Sequence, residues 1–232
     1  MATASPRDRS GEGSAAVAAT ALPEGPRRSA LLQERSRRTR RALVKAALQL
    51  WSARGYERGI EETTAEEIAA AAGVTKGTFY FHFARKEDIL RELGWGASAA
   101  LLKDARSAMD ADRPARDVLS VMFLGLARRV SKVDPVAVRR SVAEFYRGAS
   151  AGPVDDDHVG FVTSLLEVIA YAERRGELPA GTDEQELASL LSAVTLDALI
   201  GWSAASSDEL AALLVRRADV VLAGARAAAE EA

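Results

Sequence analysis

The chain of 232 residues contains no cysteine and only two histidines, His82 and His158. Disulfide stapling, thiolate metal ligation and a cysteine nucleophile are therefore excluded, and a metal site built on histidines is not expected. There is neither a glycine-rich loop to cradle phosphate nor a nucleophile with a base and an orienting partner. No catalytic residue, metal or cofactor is expected. The longest apolar stretch, Ser189 to Trp202, is too short for a membrane span and carries Asp197. No run shows the alternation or β-branched richness of a strand. Seven prolines and seventeen glycines are too few for a fibrous or wholly disordered chain. What remains is ordinary globular usage, with 48% hydrophobic and 28% charged residues, enough for one large or two small domains with a buried core.

Residues 1–34 are rich in Ala, Ser, Gly, Pro and Arg and show no apolar periodicity, which predicts a disordered arm. Arg27-Arg28 ahead of Ser29-Ala30-Leu31-Leu32 faintly resembles a twin-arginine leader, but Gln33-Glu34-Arg35 ends the apolar stretch. A soluble, cytoplasmic protein with no membrane partner is expected. Beyond the arm the apolar spacing is helical to the end, so the fold class is all-α. A first helix fits Ser36 to Arg54, with Leu43, Ala47, Leu50 and Trp51 on one stripe, followed by a turn at Arg54-Gly55-Tyr56. A second begins at Thr64, with Glu67 three residues on completing a capping box, and ends at Gly73, suited to the left-handed C′ position.

A helix-turn-helix needs a small residue where its helices touch, a glycine in the turn and apolar residues holding the second helix to the first. Ala69, Gly73, and then Ile68, Ala72, Val74 and Phe79 supply these in order. The next helix, Thr75 to Phe83, places Phe79 and Phe83 at i and i+4 toward the core, and Phe81 is read as core as well. Its other side offers Thr75, Lys76, Gly77, Thr78, Tyr80 and His82, small hydrogen-bonding groups with basic and phenolic ones nearby, which suits a major groove.

The net charge of −2 conceals an asymmetry. Residues 1–34 are neutral. Residues 35–91 hold twelve basic and seven acidic side chains, net +5, and residues 92–232 hold fifteen and twenty-two, net −7. The basic excess gathers at Arg35, Arg37, Arg38, Arg40 and Arg41, near a helix start where positive charge opposes the dipole, so an anionic partner explains it better than solvation alone. Arg37 and Arg38 are expected to reach the backbone or minor groove, with Arg41 beside them.

The run from Thr64 through Phe83, followed by Arg85-Lys86-Glu87-Asp88-Ile89-Leu90, resembles the DNA-binding domain of the TetR family of transcriptional regulators, over roughly Ser36 to Trp95. The resemblance implies an N-terminal three-helix DNA-binding domain (35–91) and a helical ligand-binding, dimerising bundle (92–232), about nine helices in all. It implies phosphate contacts from Thr64, Tyr80, His82 and Lys86, and groove contacts from Thr75, Lys76, Gly77 and Thr78. Gly77 would act by having no side chain, letting the backbone approach DNA.

In the bundle, a helix from Arg85 to Ala108 is expected to be interrupted at Gly94-Trp95-Gly96, a candidate hinge. Further helices fit Asp112–Val133, Pro135–Arg147, Asp155–Arg175, Asp183–Ala205 and Ser207–Ala228. The acidic run Asp155-Asp156-Asp157 before His158 reads as a helix start suited to the dipole, not a metal site. Trp95, Met122, Phe123, Phe145, Tyr146, Phe161, Tyr171 and Trp202 are candidates for an effector pocket, with plain core as the competing reading of each. The last two helices are apolar beyond one stripe. Either they are central in a monomeric bundle or they pair across a two-fold axis, and the resemblance favours a dimer seam including Leu191, Val194, Ala198, Leu213, Arg217 and Val220.

The function these readings point to is a sequence-specific DNA-binding regulator, acting as a homodimer on a palindromic double-stranded operator, a repressor released by an unidentified small-molecule effector. The alternative is a helical small-molecule or lipid-binding protein with a vestigial helix-turn-helix.

Overall fold

The computed structural model describes residues 28–148, 160–202 and 207–230. Ten α-helices and no strand occur among them: α1 (Arg28–Arg54), α2 (Tyr56–Glu62), α3 (Ala65–Ala71), α4 (Lys76–His82), α5 (Ile89–Asp110), α6 (Ala115–Val130), α7 (Pro135–Gly148), α8 (Phe161–Arg174), α9 (Glu184–Gly201) and α10 (Ser207–Glu230). A 3-10 turn at Lys86–Asp88 precedes α5. The chain divides into two compact units, residues 1–38 and Thr39 onward. The described part of the first, residues 28–38, is the start of α1, whose Leu31 and Leu32 are exposed.

The expected arm is thus helical from Arg28, eight residues before the expected start of the first helix at Ser36. After Pro26 the run Ala30 to Arg38 is dominated by Ala, Leu, Gln, Glu and Arg, all good helix formers, and nothing in it breaks a helix. A second departure is α2, which falls where only a turn was expected. It is short, flanked by Gly55 at φ 78° and interrupted in composition by Gly59, so its local pattern reads as loop.

Two apolar clusters organise the second unit. One gathers Leu43, Ala47, Trp51, Ile60, Ile68, Phe79, Phe83, Ile89 and Leu90 from α1 to the start of α5. The other gathers Leu101, Val118, Met122, Phe123, Leu165, Leu191 and Leu214 from α5 to α10. Helix α5 therefore serves both, its first turn in one core and its second half in the other. Helix α7 joins them by polar contacts: Arg140 Nη2 donates to Glu57 Oε1 at 2.5 Å and Glu61 Oε1 at 2.8 Å, and Ser141 Oγ donates to the Leu90 carbonyl at 2.7 Å. The Glu144 carboxylate, 3% exposed, accepts from Arg85 Nη2 at 2.7 Å and pairs with Arg147.

The interruption expected at Gly94-Trp95-Gly96 is absent, because α5 runs unbroken through it and Ser98 Oγ caps the Gly94 carbonyl at 2.9 Å. Two glycines flanking a tryptophan weaken a helix without ending it when both ends are held in packed cores. A Cβ at Gly94 would meet only Ser141 Oγ at 3.9 Å, and at Gly96 nothing within 4 Å. Replacing both glycines by alanine is accordingly expected to stabilise the chain by about 1–2 kcal/mol, measured by urea unfolding. The run Asp155 to His158 lies outside the described residues.

Candidate nucleic-acid interface

The helix-turn-helix is built from its caps inward. Thr64 opens α3 with a reciprocal capping box: its amide donates to Glu67 Oε2 at 2.7 Å, and its hydroxyl accepts from the Glu67 amide at 3.2 Å. Arg54, at the end of α1, donates to Glu67 Oε1 at 2.6 Å and to Thr63 Oγ1 at 3.0 Å, tying the α1 terminus to the start of α3. Those bonds, the Arg54 one foremost, hold the Glu67 carboxyl down at about 2. At the other end Gly73 adopts φ 72°. Its amide donates to the Ala70 carbonyl, and the Val74 amide to that of Ala69 at 2.9 Å, the paired bonds of a Schellman motif. Only a residue free of Cβ strain takes that backbone without cost, which is how the glycine fixes the turn.

Thr75 then caps α4, its hydroxyl accepting from the Thr78 amide at 3.1 Å and sharing a hydrogen bond with Thr78 Oγ1 at 2.9 Å. Phe79 and Phe83 are buried, with ring centroids 5.9 Å apart, and pin α4 to the core. The opposite side is open. Tyr80 is 50% exposed and Phe81 79%. The expectation that Phe81 belongs to the core is therefore corrected: two residues from Phe79 is about 200° around a helix, so the two cannot share a face. Lys76 forms an ion pair with Glu66 of α3 and stands 5.9 Å from the Tyr80 ring centroid. A Cβ at Gly77 would meet nothing closer than Thr75 Oγ1 at 3.7 Å, so nothing within the chain requires glycine there.

Two basic residues and a threonine take different duties from those expected. Lys86 Nζ donates to the carbonyls of Glu61 at 2.7 Å and Thr63 at 2.8 Å, capping the end of α2, so the implied phosphate ligand is first a structural tie. Thr64 likewise spends its hydroxyl in the capping box. Arg40, part of the basic cluster, clamps three helices: its guanidinium lies 4.5 Å from the Phe83 ring centroid, donates to the His82 carbonyl at 3.0 Å and bonds Glu92 Oε1 at 2.7 Å. No local pattern announces that role, because its partners lie more than forty residues away. Arg37, Arg38 and Arg41 are exposed.

Partial burial, followed by the nearby Arg40 charge, pushes the His82 imidazole below its usual range. A depressed value means that the folded chain resists the proton the unfolded chain accepts, so stability present above pH ~6.5 is lost as pH falls through that point. His82→Gln should therefore lose less melting temperature than the parent on acidification from about pH 7.5 to 5.5.

The family model for bacterial regulatory proteins of the tetR family matches residues 43–93, which contain α2, α3, α4 and the turn between the last two. The chain is 46% identical over 67 residues to the HTH-type transcriptional regulator TcmR of Streptomyces glaucescens, 29% of this chain and 26% of that one. It is 29% identical over 176 residues to the HTH-type transcriptional repressor BepR of Brucella suis biovar 1, covering 71% and 80%. The crystal structure of Thermus thermophilus FadR, a TetR-family transcriptional repressor in complex with lauroyl-CoA, superposes with a TM-score of 0.63 at 26% identity, covering 80% of this chain and 94% of that one.

Residues 43–93 belong to the tetR family of bacterial regulatory proteins.

The chain is thus a DNA-binding transcriptional regulator, and its relatives are regulators rather than enzymes. The residues proposed for an effector pocket fall in different settings. Met122, Phe123, Phe161 and Trp202 lie in the bundle core, and Phe145 and Tyr171 pack against it. Tyr171 is tied at the α5–α6 connection, its hydroxyl donating to the Arg113 carbonyl at 2.7 Å, and Trp95 lies beside the Arg91 guanidinium, 5.0 Å from its ring centroid. Tyr146 is 53% exposed and lies apart from the candidates in the core. Adjacent positions on a helix cannot both point inward, and Phe145 takes the inner one.

The expected dimer seam is revised in the same way. Leu191 and Ala198 are buried within this one chain, where a second copy cannot touch them. Leu213 packs against the same core. Val220 is exposed, Val194 half-buried, and Arg217 bonds Asp197 Oδ2 at 2.6 Å and the Val194 carbonyl at 2.9 Å. Leu190 and Ile200, which lie on the same helix but outside the six expected seam residues, are exposed. Their signal was the apolar breadth of α9, which marks two covered faces without saying which is covered by the chain itself. Among the described residues no cluster suited to a metal occurs, and no helix is long and apolar enough to cross a membrane.

Proposed function

We propose that α4 enters the major groove, with Thr75, Lys76, Gly77 and Thr78 toward base edges and Tyr80 and His82 toward phosphates, while Arg37, Arg38 and Arg41 contact the flanking backbone. Thr64 and Lys86 act mainly by holding α2 and α3 in place. The observation that carries this reading is the outer side of α4: a glycine that nothing in the chain requires, beside polar side chains and two exposed aromatic rings on a short helix whose other side is pinned in a core. His82 supplies a check, since a phosphate raises the pKa of an imidazole that touches it. DNA affinity should rise as pH falls from about 7.5 to 6, and His82→Gln should flatten that rise.

The chain acts in the cytoplasm as a homodimeric repressor on a palindromic operator and is released by a small molecule. Residues 35–91 read DNA and residues 92–232 bind the effector and dimerise. The dimer seam uses the outer faces of α9 and α10 at Leu190, Val194, Ile200, Leu213, Arg217 and Val220. The effector enters the bundle among Met122, Phe123, Phe145, Phe161 and Trp202. The lauroyl-CoA bound by the Thermus thermophilus relative makes acyl-CoA the first effector class to test. Selecting fragments of the organism's own DNA on the purified chain and sequencing them should return one symmetric motif, lost when acyl-CoA is added if that class is right. Retention of no fragment, alongside saturable ligand binding, would instead favour the small-molecule carrier with a vestigial helix-turn-helix.

A further inference from the structure

Lys76 is the first residue of α4 and Glu66 lies in the first turn of α3, so their ion pair bridges the two helices on the side that faces outward. Glu66 has no share in the capping box, which uses Glu67. Both side chains are more than half exposed, and a solvated pair of that kind contributes little to folding. Each partner nevertheless shifts the other's titration toward the charged form, as expected of groups in contact. Folding stability therefore does not account for the pair. Its effect falls on DNA: a carboxylate on a reading face repels every phosphate, and a lysine held by it is not available as a free point charge to the backbone.

We propose that Glu66 is a specificity-determining residue, which occupies Lys76 on random-sequence DNA and releases it only where a base edge can replace the carboxylate. The proposal rests on the DNA-reading assignment of α4. On a non-cognate duplex, moving Lys76 from Glu66 to a phosphate exchanges one ion pair for another and leaves Glu66 uncompensated beside the DNA, so little is gained. At the cognate site a guanine edge offers Lys76 acceptors in the groove. Random-sequence affinity falls while cognate affinity is kept, and the ratio of the two decides occupancy in a genome of competing sites.

The test uses the full chain and a pool of short random-sequence duplexes, titrated by fluorescence anisotropy between roughly 50 and 200 mM salt. Glu66→Gln should bind the pool roughly five- to ten-fold more tightly near 0.1 M salt, with a slope of log K against log salt steeper by about 0.9, one additional phosphate contact. In a Lys76→Met background the same substitution should add nothing beyond about two-fold, since the effect runs through Lys76. Unchanged affinity and slope in Glu66→Gln would overturn the proposal. So would an equal gain in the Lys76→Met background, which would make Glu66 a simple repulsive charge. Absence of salt-dependent binding by the parent chain is a separate result, overturning the DNA-reading assignment and the proposal with it. Both substituted side chains are exposed, and thermal melts of the variants should match the parent.

Discussion

Gly59→Ala is expected to lower stability by about 3 kcal/mol, toward the upper end of what overpacking costs. A Cβ placed on Gly59 would lie 2.6 Å from both the Cα and the carbonyl oxygen of Trp51. Those are backbone atoms of α1, so no rotamer change relieves the clash, and α2 must retreat as a body. Retreat is costly because α2 is held on three sides. Its Ile60 is buried in the N-terminal core, its Glu57 and Glu61 carboxylates accept from Arg140, and the carbonyls of Glu61 and Thr63 accept from Lys86. A thermal melt followed by circular dichroism should show a fall of roughly 6–12 °C if the chain unfolds in one step. A parent-like melt would mean that α1 and α2 do not approach this closely.

The joint between α7 and the DNA-reading helices carries the second large effect. Glu144 is buried, and its charge is met by Arg85, which follows α4, and by Arg147 one turn along α7. Replacing both arginines by methionine keeps their stems over the carboxylate while removing its partners. A buried charge left unpaired in this way costs about 3–5 kcal/mol. Adding Glu144→Gln to the double variant should restore most of the loss, since the amide carries no charge to strand. Urea unfolding of the parent, the double variant and the triple variant gives the three values needed. If the double variant is as stable as the parent, Glu144 finds water or another partner there. If the triple variant shows no recovery, the loss came from packing and not from charge.

Chemistry close together in sequence was the most legible. Thr64 and Glu67 form the capping box their spacing predicts, Gly73 takes the left-handed turn, and Phe79 and Phe83 enter the core as i and i+4 partners. Each of those is decided within one helical turn. Helix α2 is not legible in the sequence because Gly55 and Gly59 give its stretch the composition of a loop, while its order comes from packing against Trp51 and from Lys86 at its end. The Gly94-Trp95-Gly96 stretch misled in the opposite sense, as packing at both ends carries α5 through it. Contacts between distant residues left no mark in the sequence: Arg85 with Glu144, Arg140 with Glu57, and Arg40 across Phe83, His82 and Glu92. For α9 the pattern was apolar on more than one side, and only the folded chain separates Leu191 and Ala198, covered by their own bundle, from Leu190 and Ile200, which are not.

That α4 reads DNA is tested most directly by measuring affinity for the selected genomic fragments across a range of salt, for the parent chain and for Lys76→Ala/Thr78→Ala/Tyr80→Ala. The parent should lose affinity steeply as salt rises, through counterion release, and the triple variant should bind at least about 100-fold more weakly while melting at the parent's temperature. Binding by the triple variant equal to the parent's, or parent binding that ignores salt, would contradict the assignment.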